Sequence, residues 1–277
     1  MQIGEWQDLK VKRESEYGLY LSDGGETEVL LPENQCPDDA LVGHSLKVFI
    51  YTDSEDRIIA TRMKPHAAVG EFAVMKVLMV TGQGAFLDWG LMKDLFCPFK
   101  QQHFELREGN EVLVYVYLDE RSNRVACTTR WSKHLTPHQG ELEQGDAVKM
   151  LVADILPDFA TVIVNGKYKG AIFRDEWVDE LRVGQKRKGY VKRVRDDGQL
   201  ALSLRPQGYD AVIGERDRLI RALEANGGSL PLSDRSSPDE ILRAFGMSKG
   251  AFKKLIGTLY REGIIVIEDD RIALVIC

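Results

Sequence analysis

The chain has 277 residues, of which 44% are hydrophobic and 29% charged, and its formal net charge is -6. This composition is that of an ordinary globular protein and excludes collagen-like and low-complexity chains. No apolar run approaches the ~18 residues that span a bilayer and no secretory signal opens the chain, so we expect a cytoplasmic protein without a membrane partner.

Glycines divide most of the chain into three repeated units. The glycines that precede the first strand-like run of each unit are Gly4, Gly70 and Gly145. A second series follows each of these by 39 residues and consists of Gly43, Gly109 and Gly184. The units are offset by 66 and then 75 residues. The first offset also makes Gly18 equivalent to Gly84 and Tyr20 equivalent to Phe86. So many coinciding positions predict a threefold structural repeat.

Each unit contains five short segments with the alternating pattern of β-strands. In the second unit, the predicted strands are 72–80, 85–89, 94–97, 112–118 and 124–129. Five strands in about 65 residues, with one break between the third and fourth, are typical of a small closed OB-type barrel. In the third unit, Asn165-Gly166 predicts a tight hairpin turn, and Leu200 and Leu202 point inward while Ser203 and Arg205 face out.

After residue 206 the pattern changes to helical spacing. We expect helices over 209–225, from Ser237 to Phe245 and from Ser248 to Arg261, followed by a β-hairpin over 264–276. This order predicts a winged helix. The fold class is therefore mainly β and multidomain: three tandem five-stranded OB-fold barrels and an α+β winged-helix domain. The predicted domains are residues 1–65, 67–135, 142–206 and 209–277.

The second unit resembles the S1 RNA-binding domain. The resemblance rests on Gly-Gln-Gly-Ala-Phe-Leu-Asp-Trp-Gly at 82–90 and on a strand that ends at Asp119, with Arg124 beyond it. The family stacks bases on aromatics of its second and third strands and meets the nucleic-acid backbone with the arginine. At the matching positions of this chain, the resemblance implies that nucleic acid is bound by Tyr20 and Arg57 in the first unit. In the second unit it implies binding by Phe86, Phe96 and Arg124.

Structural explanations of the same residues stay open. Aromatics of a small barrel also serve as core residues. Asp53 with Arg57, and Asp119 with Arg124, would also serve as turn-spanning ion pairs, which contribute little when exposed.

The charge is unevenly distributed. The first 66 residues hold thirteen acidic and seven basic side chains, which accounts for the whole net charge and predicts an acidic, degenerate first barrel acting as a scaffold. The third unit concentrates cations around one tyrosine, the pattern of a groove that follows phosphates, although a solvated surface is the alternative. The candidate nucleic-acid contacts there are Arg182, Lys186, Arg187, Lys188, Tyr190, Lys192, Arg193, Arg195 and Arg205.

The third helix of the C-terminal domain carries further candidate contacts. Lys249, Lys253 and Lys254 suit contacts to a nucleic-acid backbone, while Phe252 falls on the buried face of the helix. The helix has no Asn, Gln or paired Arg set that would read base edges in a major groove, which disfavours sequence-specific DNA recognition.

Enzymatic function finds no support in the sequence. The five histidines have no metal-ligand spacing, no Gly-rich phosphate loop precedes a helix, and the four cysteines form no CxxC pair. We therefore expect no catalytic residue, no metal site and no cofactor, and a reducing compartment.

Along nearly its whole length the chain resembles the conserved virulence factor B family of bacterial RNA-binding regulators. The domain order, the 82–90 stretch and Lys-Gly-Tyr-Val-Lys-Arg-Val-Arg-Asp-Asp-Gly at 188–198 carry this resemblance. It implies a cytoplasmic, non-catalytic RNA-binding protein that regulates gene expression after transcription. We expect the protein to be a monomer and its ligand to be single-stranded RNA. The alternatives are a transcription regulator that binds DNA through the winged helix, and a protein-interaction module associated with the ribosome or a nuclease.

Overall fold

A computed structural model describes residues 1–205 and 209–275. The first barrel consists of β1 (Trp6–Ser15), β2 (Gly18–Ser22), β3 (Val29–Pro32), β4 (Ser45–Thr52) and β5 (Ile58–Thr61). The second consists of β6 (Phe72–Val80), β7 (Gly84–Leu87), β8 (Leu95–Pro98), β9 (Glu111–Asp119) and β10 (Arg124–Thr128). The third consists of β11 (Ala147–Ile155), β12 (Phe159–Val164), β13 (Tyr168–Phe173), β14 (Lys186–Val194) and β15 (Leu200–Ser203).

All three barrels are closed and share one strand order, 1-2-3-5-4. In each barrel the third and fifth strands pair in parallel, and a single 3-10 turn follows the third strand. The prediction of three OB-type barrels is confirmed. The predicted domain limits stay a prediction, and positions 206, 276 and 277 lie outside the described residues.

The repeated glycines perform the same task in every barrel. All six have left-handed backbone angles, with φ between 84° and 100°. The first series donates its N–H to the middle of the fourth strand, as Gly70 does to the Val116 carbonyl at 2.9 Å. The second series donates to the first strand beside a β-bulge, as Gly109 does to the Val77 carbonyl at 2.8 Å. The 39-residue spacing thus fixes the pairing of strands one and four.

Apolar packing joins the first barrel to the second. Phe49 of β4 is fully buried, although it points out of its own barrel, because its ring contacts Trp89 of the second barrel at a centroid distance of 5.7 Å. Trp6 also packs on Phe49, with ring centroids 5.6 Å apart, and the Trp89 indole donates to the Ala67 carbonyl at 2.8 Å. The two barrels therefore share one hydrophobic cluster.

A second apolar cluster joins the second barrel to the third. Leu113 points outward on β9, yet it is buried because it packs against the third barrel. The buried members of this cluster are Phe72, Leu113, Leu151, Ala153 and Ile163. The Asn165-Gly166 turn forms as predicted, with φ of 50° and 69°.

Ser203 projects from the outer face of β15, as predicted, but its exposure is 0%. The hydroxyl donates to Glu176 Oε2 at 2.6 Å, and Lys192 pairs with the other oxygen of this carboxylate. Burial acts to raise the pKa of Glu176, but these hydrogen bonds hold it below its ordinary value.

The C-terminal domain is a winged helix, as predicted. It contains α1 (Tyr209–Ala225), β16 (Ser229–Leu230), α2 (Pro238–Phe245), α3 (Lys249–Arg261), β17 (Ile265–Ile267) and β18 (Ile272–Leu274). Ser237 forms a capping box with Glu240, and Ser248 accepts from the Ala251 N–H at the start of α3. None of the helices in the described part of the chain is long and apolar enough to cross a membrane.

Candidate nucleic-acid interface

Two aromatic rings form a pair on the outer face of the second barrel. Phe86 of β7 and Phe96 of β8 are opposite each other in register, half-buried, with ring centroids 5.0 Å apart. Their chain neighbours Ala85 and Leu87 point into the core and are fully buried. Gly84 allows the pair to form, because a Cβ there would lie 2.4 Å from the Cys97 carbonyl oxygen and 2.9 Å from the Phe96 ring.

Further residues extend the Phe86–Phe96 pair on both sides across neighbouring strands, and none of them was a predicted contact. Met79 is the partner of Phe86 on β6, directly after the bulge, and is 47% exposed. On the other side the small Ala126 lies beside Phe96, and Tyr117 lies beside Ala126. Burial, aided by Asp119, raises the pKa of Tyr117 to about 12, so its phenol stays neutral. The result is a mainly apolar surface suited to flat rings.

The first barrel has the same position but covers it. Tyr20 occupies the place of Phe86, opposite Leu30. The guanidinium of Arg13 lies over its ring, 3.5 Å from the centroid, and the Arg13 Nε donates to Glu28 at 2.8 Å. In the third barrel the corresponding residues are Thr161 and Ala171. Within the described residues, the second barrel alone presents an uncovered aromatic pair at this position.

The two predicted arginines have different partners. Arg57 spans its turn to Asp53, with Nη2 and Oδ2 2.8 Å apart, so the turn-spanning ion pair forms there. Arg124 does not pair with Asp119, whose carboxylate accepts from the Ser122 hydroxyl at 2.6 Å. Arg124 instead pairs with Asp56 of the first barrel. Each of the two arginines therefore forms an ion pair within the protein.

The basic stretch of the third barrel is divided by its acidic neighbours. Arg187 pairs with Asp179 at 2.8 Å, Lys192 with Glu176, and Arg195 with Asp197 at 3.6 Å. In the described residues, four cations of this stretch have no carboxylate within 4.0 Å, namely Arg182, Lys186, Lys188 and Arg193. The Lys188 ammonium lies 5.8 Å from the centroid of Tyr190. Arg205 is exposed, and its charge also helps to lower the pKa of Glu176.

Lys149 completes a group that the sequence analysis missed. It lies on β11 directly opposite Lys188, and both line a groove of about 1110 Å³ between the second and third barrels, together with Lys186. In each barrel one pair of residues 39 positions apart lies directly opposite across strands one and four, and in the third barrel this pair is Lys149 and Lys188.

The winged helix places its three predicted lysines at the N-terminal half of α3. Lys253 lies 3.6 Å from Asp234, and the Lys249 ammonium donates to the Arg235 carbonyl at 3.4 Å. Lys254 is exposed. Phe252 is fully buried with its neighbours on the other face, as predicted. In the portion of the chain that is described, no cluster of three or more His, Cys, Asp or Glu could hold a metal ion.

Two family models match the chain. The model described as "S1 domain" matches residues 3–62 and 69–129, which are the first and second barrels. The model described as "CvfB-like winged helix domain" matches residues 217–274. These domains support a nucleic-acid-binding role.

Several relatives align with this chain over most of their own length. A protein named "Conserved virulence factor B" in Staphylococcus aureus (strain USA300) is 28% identical, with 92% of this chain and 88% of the relative covered. "Uncharacterized protein YitL" of Bacillus subtilis (strain 168) is 25% identical over 97% of this chain and 92% of its own. A crystal structure of "a multidomain protein with nucleic acid binding domains" from Streptococcus pneumoniae TIGR4 is 24% identical, covers 99% of this chain and 98% of that one, and has a TM-score of 0.42.

Proposed function

We propose that this chain, whose C-terminal domain matches the CvfB-like winged helix model and which is 27% identical to a protein named Conserved virulence factor B, is a non-catalytic, cytoplasmic RNA-binding protein that regulates gene expression after transcription. The proposed ligand is single-stranded RNA, and the proposed state of the protein is a monomer. The observation that carries the proposal is the Phe86–Phe96 pair on the outer face of an S1 barrel.

The physical reason for a single strand is stacking. Bases of a duplex are already stacked on each other, whereas those of a single strand can lie on aromatic side chains. Each such contact contributes about 1–3 kcal/mol by alanine substitution and tolerates any base. The unpaired cations of the third barrel and of α3 would add electrostatic attraction to the phosphates.

Binding of labelled oligonucleotides to the full chain tests this proposal. Fluorescence anisotropy would compare a 12-nucleotide single-stranded RNA with duplex DNA of the same sequence. We expect the RNA to bind more tightly, and F86A/F96A to weaken its binding at least tenfold. Tyr17→Ala is the control, because Tyr17 is a 64% exposed aromatic residue in a turn of the first barrel.

The other outcomes identify the alternatives. Tighter binding of the duplex, unaffected by F86A/F96A, would indicate a transcription regulator that works through α3. No affinity for either oligonucleotide would indicate a protein-interaction module. Crosslinking in cells, followed by sequencing of the bound nucleic acid, then distinguishes RNA from DNA targets directly.

A further inference from the structure

Two lysines of the third barrel lie directly opposite each other on adjacent strands. Lys149 and Lys188 are partners in the antiparallel register of β11 and β14. The backbone N–H and carbonyl of Lys149 both bond to Asn165 on the opposite neighbour, at 2.9 and 2.8 Å. The lysines therefore form a non-hydrogen-bonded pair, with Cα atoms about 4.5 Å apart. Like charges at such positions destabilise a sheet, so this pair lowers the stability of the unliganded barrel.

The equivalent pairs of the other two barrels carry no such conflict. The first barrel has Asp8 opposite Lys47, which is a pair of opposite charges. The second has Val74 opposite Leu113, and both pack in the cluster that joins it to the third barrel. This outward pair of strands one and four is thus an ion pair in the first barrel and an apolar pair in the second. Among the three barrels, the third alone has two cations there.

These lysines face a preformed groove. On the side of the third barrel the groove is lined by β11, β14 and the Asn165-Gly166 turn, and on the side of the second barrel by residues that include His66 and Glu71. The apolar cluster between the barrels holds the two walls together. Gly184 adds close contact, since a Cβ there would lie 2.6 Å from Val74 Cγ2.

Positive charge dominates the groove. Lys149, Lys186 and Lys188 are exposed and have no carboxylate within 4.0 Å in the described residues. The one carboxylate of the opposite wall, Glu71, accepts from the Ala68 N–H at 2.9 Å. Tyr190 lies on the same outer face as Lys188, two residues along β14.

We propose that this groove holds the sugar–phosphate backbone of a single nucleic-acid strand, with consecutive phosphates at Lys149, Lys188 and Lys186. This inference rests on the proposed function and adds to it a phosphate site on strands one and four, away from the aromatic pair. Phosphates bound at Lys149 and at Lys188 offset the repulsion between the two ammonium groups. Tyr190 is placed to stack a base of the same strand.

The first variant is Lys149→Asp, which recreates in the third barrel the Asp8–Lys47 arrangement of the first. We expect its thermal unfolding midpoint to equal or exceed that of the native chain, so loss of binding will not reflect loss of folding. Affinity for the 12-nucleotide RNA should fall at least tenfold at about 0.1 M salt. Lys10→Asp is the matched control, because it makes the same charge change on the corresponding face of the first barrel.

A second variant measures the number of phosphates. K149A/K188A removes two contacts, so the slope of log K against log salt concentration should become shallower by about 1.4. Tripolyphosphate supplies phosphates without bases. It should raise the unfolding midpoint of the native chain and of F86A/F96A, but not that of Lys149→Asp.

Native-like RNA affinity and salt slope in Lys149→Asp and K149A/K188A would overturn the phosphate site, even if F86A/F96A loses binding and the proposed function stands. If the native chain binds tripolyphosphate but no RNA, the proposed function fails, and with it the assignment of the groove to a nucleic-acid strand.

Discussion

The guanidinium of Arg13 lies over the Tyr20 ring, 3.5 Å from its centroid, so the first barrel occupies its own stacking position. Glu28 holds this guanidinium in place by a hydrogen bond and also pairs with Lys12 at 3.1 Å. These two cations hold the pKa of Glu28 below its ordinary value. The arrangement agrees with a first barrel that serves as scaffold, and it can be tested by uncovering the ring.

Arg13→Ala removes the cover from Tyr20. We expect a gain of up to about tenfold in affinity for single-stranded RNA, because an uncovered ring can stack a base, and this outweighs the loss of one cation. The double variant R13A/Y20A should lose the gain. Anisotropy with the 12-nucleotide RNA measures both. Weaker binding by Arg13→Ala, together with weaker binding by Tyr20→Ala alone, would show that the Arg13–Tyr20 pair itself contacts RNA.

Gly84→Ala should displace the Phe86–Phe96 pair of the second barrel. The new Cβ would clash with the Cys97 carbonyl and the Phe96 ring, and such overpacking costs about 1–3 kcal/mol of stability. RNA affinity should fall with the displacement of Phe96. Gly82→Ala is the control, since a Cβ there meets no atom within 4 Å. Urea unfolding and anisotropy give the two readouts, and equal results for both variants would contradict the prediction.

Glu141 makes the stability of the third barrel depend on pH in the acidic range. Its carboxylate accepts from the Tyr168 hydroxyl at 2.8 Å and from Lys167, and these bonds lower its pKa from 4.5 to about 2. A lowered folded-state pKa stabilises the fold above the unfolded value, so this contribution is lost as the pH falls from about 4.5 to about 2.

Glu141→Gln should therefore lower stability at pH 7 and flatten the dependence of stability on pH between about 2 and 4.5. Glu143→Gln is the control, because the side chain of Glu143 has no hydrogen-bond partner in the described residues. Denaturant unfolding at a series of pH values checks this. A pH profile of Glu141→Gln parallel to that of the native chain would refute the assignment.

Phe49→Ala tests the joint between the first two barrels. The ring belongs to the first barrel but packs on Trp89 of the second, so its removal should cost about 3–5 kcal/mol and separate the unfolding of the two barrels. Phe99→Ala, at a ring that is 46% exposed, should change stability by less than about 0.5 kcal/mol. A single unfolding transition with native stability in Phe49→Ala would exclude this role.

Repeat, strand pattern and turn chemistry were readable from the sequence because they are local. Gly4 and Gly43 must adopt left-handed backbone angles whatever surrounds them, and Tyr20 and Phe86 do occupy the same register position. The helix caps Ser237 and Ser248 were equally local signals.

Contacts between barrels could not be predicted in this way. Arg124 reaches Asp56, 68 residues away, because the packing of two barrels brings their turns together. The cover on Tyr20 depends on the bulge between Val11 and Arg13, which sets the arginine beside the ring. The cations of 182–195 look like one group in the sequence, whereas the folded chain pairs Arg187 with Asp179 and Lys192 with Glu176.

The 39-residue spacing of the glycines has a consequence for how such a chain diversifies. The hydrogen bonds of Gly4, Gly70 and Gly145, and of their partners, fix the skeleton of each barrel without involving the outward pair of strands one and four. Copies of one module can therefore exchange that pair while the interior stays unchanged. In the three barrels this pair is an ion pair, an apolar contact between barrels and a pair of lysines. The residues that fold the module are therefore distinct from those that give each copy its function.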